Sequence, residues 1–190
     1  MKTPLYLIVA VFATLAFSPY ARANLITNGD FATGDFTGWN VTHASSGSNL
    51  TVANGAAVFA ASGSGFDSIS QSFATTTGTF YSLSFDLFIS NAFQNTPDTA
   101  FQVLFNGTVI FSSPNINAPL STLAFTNLQA IGSSTTLVFR GRRNNPGFID
   151  LDNVDVTTGV VPDTGRSALL MAIGLLGLFG FRRVLSNGSA

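Results

Sequence analysis

The strongest constraint on the fold is a strict alternation of large apolar side chains over residues 81–90. Every second position is apolar, and four of the five residues between these positions are Ser or Asp. The apolar positions are Tyr81, Leu83, Phe85, Leu87 and Ile89. Because side chains alternate between the two faces of a strand, this period of two predicts a strand with one buried face.

Two Asn-Gly pairs, at 54–55 and 106–107, each separate two short apolar runs. Asn and Gly accept the positive φ values of a type I′ turn, so each pair predicts a β-hairpin. The predicted hairpin strands are 50–53 with 56–59 and 101–105 with 108–111, and further strands are predicted over 68–74, 119–127, 135–141 and 147–156. About nine or ten short strands without an amphipathic helix between them predict an all-β fold, an antiparallel sandwich.

Composition excludes several classes of protein. Only 9% of the residues are charged, all nine acids are Asp, and Lys2 is the only lysine. Stable soluble helices lean on Glu, Lys and Arg, so an all-α fold is excluded. A formal net charge of −1 argues against nucleic-acid binding, which needs clustered cations. Since the chain has no Cys, it has no disulfide, thiol catalyst or Cys-ligated zinc.

The first 23 residues predict a signal peptide. Lys2 precedes an apolar run over 5–17, and Ala21-Arg22-Ala23 has the small-x-small pattern that signal peptidase cleaves. Cleavage after Ala23 leaves Asn24 as the mature N-terminus. The alternative interpretation is an uncleaved membrane anchor.

A second hydrophobic segment closes the chain. Residues 158–167 form a predicted linker, and an apolar helix with a terminal Arg pair is predicted over 168–183, before a short cytoplasmic tail at 184–190. The apolar part, 168–181, makes about 21 Å of helix, which is shorter than a membrane's hydrocarbon core. The Arg pair favours a cytoplasmic C-terminus. The alternative is a buried C-terminal helix of a globular fold.

This end of the chain resembles the PEP-CTERM sorting signals, in their VPDSG-type variant. The matching residues are Val161, Pro162, Asp163, Thr164 and Gly165, followed by the apolar helix and by Arg182 and Arg183. Thr164 replaces the usual Ser, and Arg166 stands where a small polar residue is usual. The resemblance implies that an exosortase processes the protein and that the protein is anchored in the inner membrane until then. It also implies export to the envelope or biofilm matrix of a Gram-negative-type bacterium, where polysaccharide is the expected partner.

Residues 24–157 resemble the galactose-binding-like jelly rolls, which include many carbohydrate-binding modules. The opening 24–31 and Gly34 to Trp39 match their first motif, and 148–156 is similar to their closing strand. The resemblance implies a jelly-roll β-sandwich and a structural Ca²⁺, for which Asp30 and Asp152 are the candidate ligands. Ala32 replaces an acid that usually contributes to such a site.

No catalytic constellation stands out in the sequence. His43 is the only histidine and no Gly-x-Ser-x-Gly elbow accompanies it. Asp150 and Asp152 lie on one side of a predicted strand, whereas glycosidases need two carboxyls facing each other across a cleft. We therefore predict a non-catalytic binding or structural module. The alternative is a hydrolase of matrix polysaccharide.

One cluster of strong hydrogen-bond donors is the candidate ligand site. It comprises Arg140, Arg142, Arg143, Asn144 and Asn145. Guanidinium groups offer a planar fork of donors to sugar hydroxyls or acidic glycans. The favoured alternative is that these arginines pair with nearby Asp residues. Trp39 and Tyr81 are predicted to belong to the core, with sugar stacking as the alternative for Trp39.

Overall fold

A computed structural model describes residues 22–61, 65–91, 99–114, 118–143 and 147–159. These residues contain ten strands and no helix. The strands are β1 (Asn40–Thr42), β2 (Asn49–Ala53), β3 (Ala56–Ala61), β4 (Asp67–Ala74), β5 (Phe80–Asn91), β6 (Ala100–Phe105), β7 (Thr108–Pro114), β8 (Ala118–Gln129), β9 (Ser134–Arg142) and β10 (Gly147–Thr158). The predicted all-β class is confirmed.

Most of the signal peptide and all of 160–190 lie outside the described residues, and so do the sorting motif and the Arg pair. Among the residues that the structure describes, none forms a helix with the length and hydropathy needed to cross a membrane. The domain boundaries at 24 and 157 stay predictions, and β10 ends one residue beyond the second of them.

The strands form two five-stranded sheets. The first sheet has the order β1-β4-β9-β6-β7, and the second sheet has the order β2-β3-β10-β5-β8. Every pairing in both sheets is antiparallel. Each sheet turns one face toward the core, as the alternating burial of β4, β9 and β10 indicates. The predicted antiparallel sandwich is confirmed.

Phenylalanine rings fill much of the space between the sheets. Phe139 of the first sheet meets Phe85 of the second edge-to-face, with centroids 5.2 Å apart. Phe139 also lies against Phe101 at 6.2 Å and Trp39 at 6.0 Å. Such ring pairs add stabilisation beyond the area that they bury. Among the described residues, those of the core run from Ile26 to Val156.

Both predicted Asn-Gly hairpins are present. The φ values are 53° and 77° at Asn54 and Gly55, and 53° and 78° at Asn106 and Gly107. Positive φ at both central positions is what a type I′ turn requires. The turns therefore join β2 to β3 and β6 to β7 as the sequence predicts.

Candidate functional site

The outer face of the first sheet carries two of the predicted ligand-binding arginines. In β9 the residues Leu137, Phe139 and Gly141 are buried, whereas Arg140 and Arg142 on the alternate face are only half-buried. A period of two along the strand produces this separation. Arg140 and Arg142 are thus brought to one surface.

Phe66, which precedes β4, organises these two arginines. The guanidinium carbon of Arg140 lies 5.0 Å from the centroid of the Phe66 ring, and that of Arg142 lies 5.1 Å from it. Both distances fall within the range of cation–π attraction. Nε of Arg140 also donates a hydrogen bond of 2.8 Å to Oε1 of Gln102 on β6. We call Phe66, Gln102, Arg140 and Arg142 the arginine cluster.

Hydroxyl side chains share the outer face of the first sheet with the arginine cluster. Oγ of Ser72 and Oγ1 of Thr136 are 2.8 Å apart, and Nε2 of Gln102 donates to Oγ of Ser112 at 3.3 Å. Register and alternation place further small polar residues of the neighbouring strands on the same face, namely Asn40, Thr42, Ser68 and Ser70. The face therefore offers many donors and acceptors at its surface.

The structure separates Arg143 from the arginine cluster. Its side chain is 1% exposed, and its guanidinium packs so closely against Gly147 that a Cβ there has no room. Burial lowers the pKa of Arg143 from its usual value. Arg143 is therefore part of the interior and does not contribute to the outer surface. Asn144 and Asn145, predicted with it, lie outside the described residues.

Carboxylates occupy other parts of the described sandwich. Asp67 of β4 is buried and accepts a hydrogen bond from the backbone N–H of Ala44 at 2.8 Å. The other described strand carboxylates lie on β5 and β10 of the second sheet: Asp86, Asp150, Asp152 and Asp155. Among the described residues, Arg140 contacts the amide of Gln102 and the ring of Phe66. The pairing of the arginines with Asp residues stays a prediction.

The segment after the predicted cleavage site docks on a bulge in β10. The register between β10 and β5 shifts between Asp152 and Asp155, and Asn153 has a φ of 51°. At this bulge the backbone N–H of Val154 donates to the carbonyl of Gly29 at 2.9 Å, and Nδ2 of Asn24 donates to the carbonyl of Val154 at 2.9 Å. Gly29 lies so close to the Val154 carbonyl that a Cβ would clash.

Trp39 and Tyr81 both belong to the core, as predicted. Trp39 is 7% exposed, stacks on Phe31 with centroids 5.7 Å apart, and donates from Nε1 to the carbonyl of Asn28 at 3.0 Å. Tyr81 is 2% exposed, and its hydroxyl accepts a hydrogen bond from the backbone N–H of Thr76. Neither ring is available to stack on a sugar.

The candidate calcium ligands lie within electrostatic reach of each other. Burial raises the pKa of Asp152, and the charges of Asp86 and Asp30 raise it further, against an opposing hydrogen bond from the Asn153 N–H. Hydrogen bonds from Thr122 and Asn153 lower the pKa of Asp86. Within the described ranges, no three His, Cys, Asp or Glu side chains form a metal-binding group. A calcium site here would combine Asp30 and Asp152 with carbonyl oxygens, and it stays a prediction.

An open groove of 450 Å³ adjoins the bulge of β10. Its lining is polar and includes two carboxylates, those of Asp30 and Asp155. Burial raises the pKa of Asp155. His43, the only histidine, is exposed in the loop after β1.

Sequence reasoning missed Phe66 and Gln102. The sequence places Gln102 on the polar side of a predicted strand, but it does not tell which strand lies beside it. Phe66 is a single apolar residue before a strand, and this pattern carries no functional signal. Only the pairing of β9 with β4 and with β6 brings these residues to Arg140.

Comparison with solved structures identifies the type of fold. No protein-family model matches the sequence, and no curated protein matches it. Among solved structures, a family 61 carbohydrate-binding module in complex with β-1,4-galactotriose aligns with a TM-score of 0.54 and 16% identity, over 72% of this chain and 99% of that one. A family 4 carbohydrate-binding module aligns with a TM-score of 0.51 and 20% identity, over 70% and 99%.

A third solved structure belongs to a larger protein. The enzymatically active domain of tailspike protein 4 from bacteriophage CBA120 aligns with a TM-score of 0.51 and 19% identity, over 74% of this chain but 22% of that one. Together these likenesses establish the fold as a jelly-roll β-sandwich of the kind that carbohydrate-binding modules have. The predicted jelly roll is confirmed.

Proposed function

We propose that this chain is an exported, non-catalytic carbohydrate-binding protein that binds polysaccharide through the outer face of its first sheet. The observation that carries the proposal is the arginine cluster, in which two guanidinium groups are positioned over Phe66 within a surface of small hydroxyl side chains. The likeness of the fold to carbohydrate-binding modules supports the same function.

The chemistry of this face suits sugar hydroxyls. A guanidinium group presents several N–H donors in one plane, and Ser and Thr hydroxyls both donate and accept. Each hydrogen bond to a sugar replaces one to water, so its net contribution is about 0.5–1.5 kcal/mol. We therefore expect weak binding by single sugars and stronger binding by polymers that span several strands.

Export is the second part of the proposal, and it is supported by the two ends of the sequence. Residues 1–23 have the composition of a signal peptide, and 161–183 resemble a sorting signal that an exosortase processes. On this view the C-terminal helix holds the protein in the inner membrane only until it is processed. The sandwich then acts at the outer surface or in the matrix.

The binding proposal is tested by two matched Phe→Ala variants. Phe66→Ala removes the ring that both arginines contact. Phe148→Ala removes a ring of the opposite outer face; the Phe148 side chain is 38% exposed, and its ring centroid lies 5.6 Å from that of Phe88. We expect Phe66→Ala to lose retention on a panel of immobilised polysaccharides and Phe148→Ala to keep it. Thermal unfolding of both variants controls for folding.

Equal retention by the two variants would place sugar binding elsewhere on the molecule. Failure of the wild-type chain to bind any polysaccharide of the panel would refute the carbohydrate-binding function itself. A structural role in the matrix would then be the better account.

The alternative, a hydrolase of matrix polysaccharide, has one observation in its favour. The groove beside β10 contains Asp30 and Asp155, and glycosidases act with two carboxyl groups. We expect no release of reducing ends when the protein is incubated with the same polysaccharides. Release that Asp155→Asn abolishes would establish the hydrolase instead.

A further inference from the structure

The groove beside the β10 bulge has the charge and the position to bind an ammonium group of this same chain. Resting on the export part of the proposed function, with cleavage after Ala23, we propose that the new α-ammonium group of Asn24 is bound in this groove by the carboxylate of Asp155. Removal of the signal peptide thereby creates an ion pair that the precursor lacks. The proposal depends on the lining of the groove, on the docking of Asn24 and on the end of the signal peptide.

The groove carries negative charge. Its described lining includes the carboxylates of Asp30 and Asp155 and contains no Arg, Lys or His. Burial raises the pKa of Asp155, because its ionised carboxylate is partly withdrawn from water. An opposite charge beside such a carboxylate favours the ionised form and offsets the cost of burial. The groove is therefore suited to a single small cation.

Asn24 lines the same groove and is held there by its own side chain. Its Nδ2 donates to the carbonyl of Val154, and its Oδ1 accepts from the backbone N–H groups of Ile26 and Val156, all at 2.9 Å. The backbone N–H of Leu25 donates to the carbonyl of Val156 at 2.8 Å. Among the described residues, the backbone N–H of Asn24 itself has no hydrogen-bond partner. Because these four bonds already fix the residue, pairing its nitrogen with a carboxylate costs little further conformational entropy.

The described end of the signal peptide does not supply a cation to the groove. The guanidinium group of Arg22 donates to the carbonyl of Thr158, and neither Arg22 nor Ala23 lines the groove. In the precursor the nitrogen of Asn24 is a neutral amide. Hydrolysis adds water across the bond between Ala23 and Asn24, which leaves a carboxylate on Ala23 and an ammonium group on Asn24. Cleavage therefore places a positive charge on a residue that is already docked in the groove.

The α-amino group sets the pH dependence of this ion pair. The charged groups that face the groove are Asp30 and Asp155, and Asp152 feels the charges of both Asp30 and Asp86. These carboxylates titrate in acid, whereas an α-amino group titrates at about pH 8. Pairing with Asp155 raises the pKa of the α-amino group in the folded chain. The stabilisation is therefore complete below about pH 8 and is lost as the pH rises through the raised pKa.

The test compares different N-termini on the chain 24–190, kept in solution by a polyoxyethylene detergent with EDTA. One form begins with the free α-amino group of Asn24, a second carries an acetyl group on it, and a third has one additional glycine before it. Acetylation removes the charge, and the additional glycine displaces it by up to about 3.8 Å. Asp155→Asn removes the proposed partner. Asp150→Asn is the matched control, because Asp150 lies on the same strand, has a pKa that burial also raises, and does not line the groove.

We expect the form with the free α-amino group to melt about 2–4 °C above the acetylated form at pH 6.5, as a partly exposed ion pair in a domain of this size does. The difference disappears at pH 10, where the α-amino group is neutral. The additional glycine removes most of the difference, because it moves the charge away from the docked nitrogen. Asp155→Asn abolishes the difference, whereas Asp150→Asn keeps it.

Equal Tm values of the free and acetylated forms at pH 6.5 would refute the ion pair while leaving the export proposal intact. A difference that persists at pH 10, or that survives Asp155→Asn, would also overturn the inference. N-terminal sequencing of the chain exported by a Gram-negative host tests the premise separately. A mature chain that begins at another residue would overturn the inference through its cleavage site, and an unprocessed chain would refute the export part of the proposed function.

Discussion

Replacing Gly29 by Ala tests how the N-terminal segment is fastened to the sandwich. A Cβ at Gly29 would meet the carbonyl oxygen of Val154 well inside contact distance. Backbone atoms of the bulge cannot move aside as a flexible side chain does. The segment must therefore shift, and the hydrogen bond from the Val154 N–H to the Gly29 carbonyl, 2.9 Å in the structure, is stretched or lost.

The magnitude follows from three contributions. Forcing an extra carbon into a packed site costs about 1–3 kcal/mol. Loss of one or two hydrogen bonds at the bulge adds about 0.5–1.5 kcal/mol each. Reduced freedom of the unfolded chain offsets about 0.4–1 kcal/mol, because Ala is stiffer than Gly. We expect a net loss of about 2–3 kcal/mol, which lowers Tm by roughly 6–12 °C for a domain of this size.

Gly47→Ala is the matched control. A Cβ at Gly47 meets no atom within 4 Å, and its φ is not positive, so the substitution there is sterically free. Thermal unfolding of both variants, followed by circular dichroism at neutral pH, measures the difference. If Gly29→Ala melted within a degree or two of Gly47→Ala, the close approach at the β10 bulge would not contribute to stability, and the reasoning would be refuted.

Three further predictions concern the carboxylates of the second sheet, calcium binding and the C-terminal tail. Asp152 and Asp86 are direct cross-strand partners, and like charges at such positions cost about 0.2–1 kcal/mol of stability. Asp152→Asn, measured in EDTA, should therefore raise Tm by about 1–4 °C at pH 7. The pKa of Asp152 is raised in the folded state, and at pH 3 this carboxyl is protonated in both the folded and the unfolded chain. The gain in Tm should therefore disappear at pH 3. An equal gain at both pH values would contradict the raised pKa of Asp152. If Asp152 and Asp30 bind Ca²⁺, millimolar Ca²⁺ should raise the Tm of the wild type but not that of the variant, and no wild-type shift would end the calcium proposal. Residues 24–159 produced without 160–190 should unfold cooperatively at a Tm close to that of the full chain, since the described residues between Ile26 and Val156 pack into a core of their own. An unfolded product would make the tail part of the core.

The elements of this fold were predictable because their signals are local. The alternation over 81–90 specifies which face of β5 is buried, since successive side chains of a strand point to opposite sides. The Asn-Gly pairs specify two hairpins, because few other residues tolerate positive φ at both central positions. The burial of Trp39 also followed from its place beside Gly38 at the start of the domain.

The inward position of Arg143 had a local signal that the predicted bounds did not use. The strand predicted over 135–141 extends to Arg142, and alternation carried on to Arg143 turns that residue toward the interior while Arg140 and Arg142 face outward. The three arginines are adjacent in sequence, but the strand divides them between two environments.

The candidate site itself was decided by tertiary structure. Arg140 meets Gln102, 38 residues earlier, because β9 pairs with β6, and it meets Phe66 because β9 also pairs with β4. Strand order depends on long-range backbone pairing and on how two sheets close over one core, and neither leaves a periodic trace in the sequence. Side-chain periodicity and turn sterics act between neighbours in the chain, so the sequence by itself determined the strands, their buried faces and their turns, while only the assembled sheets determined which outer residues lie side by side.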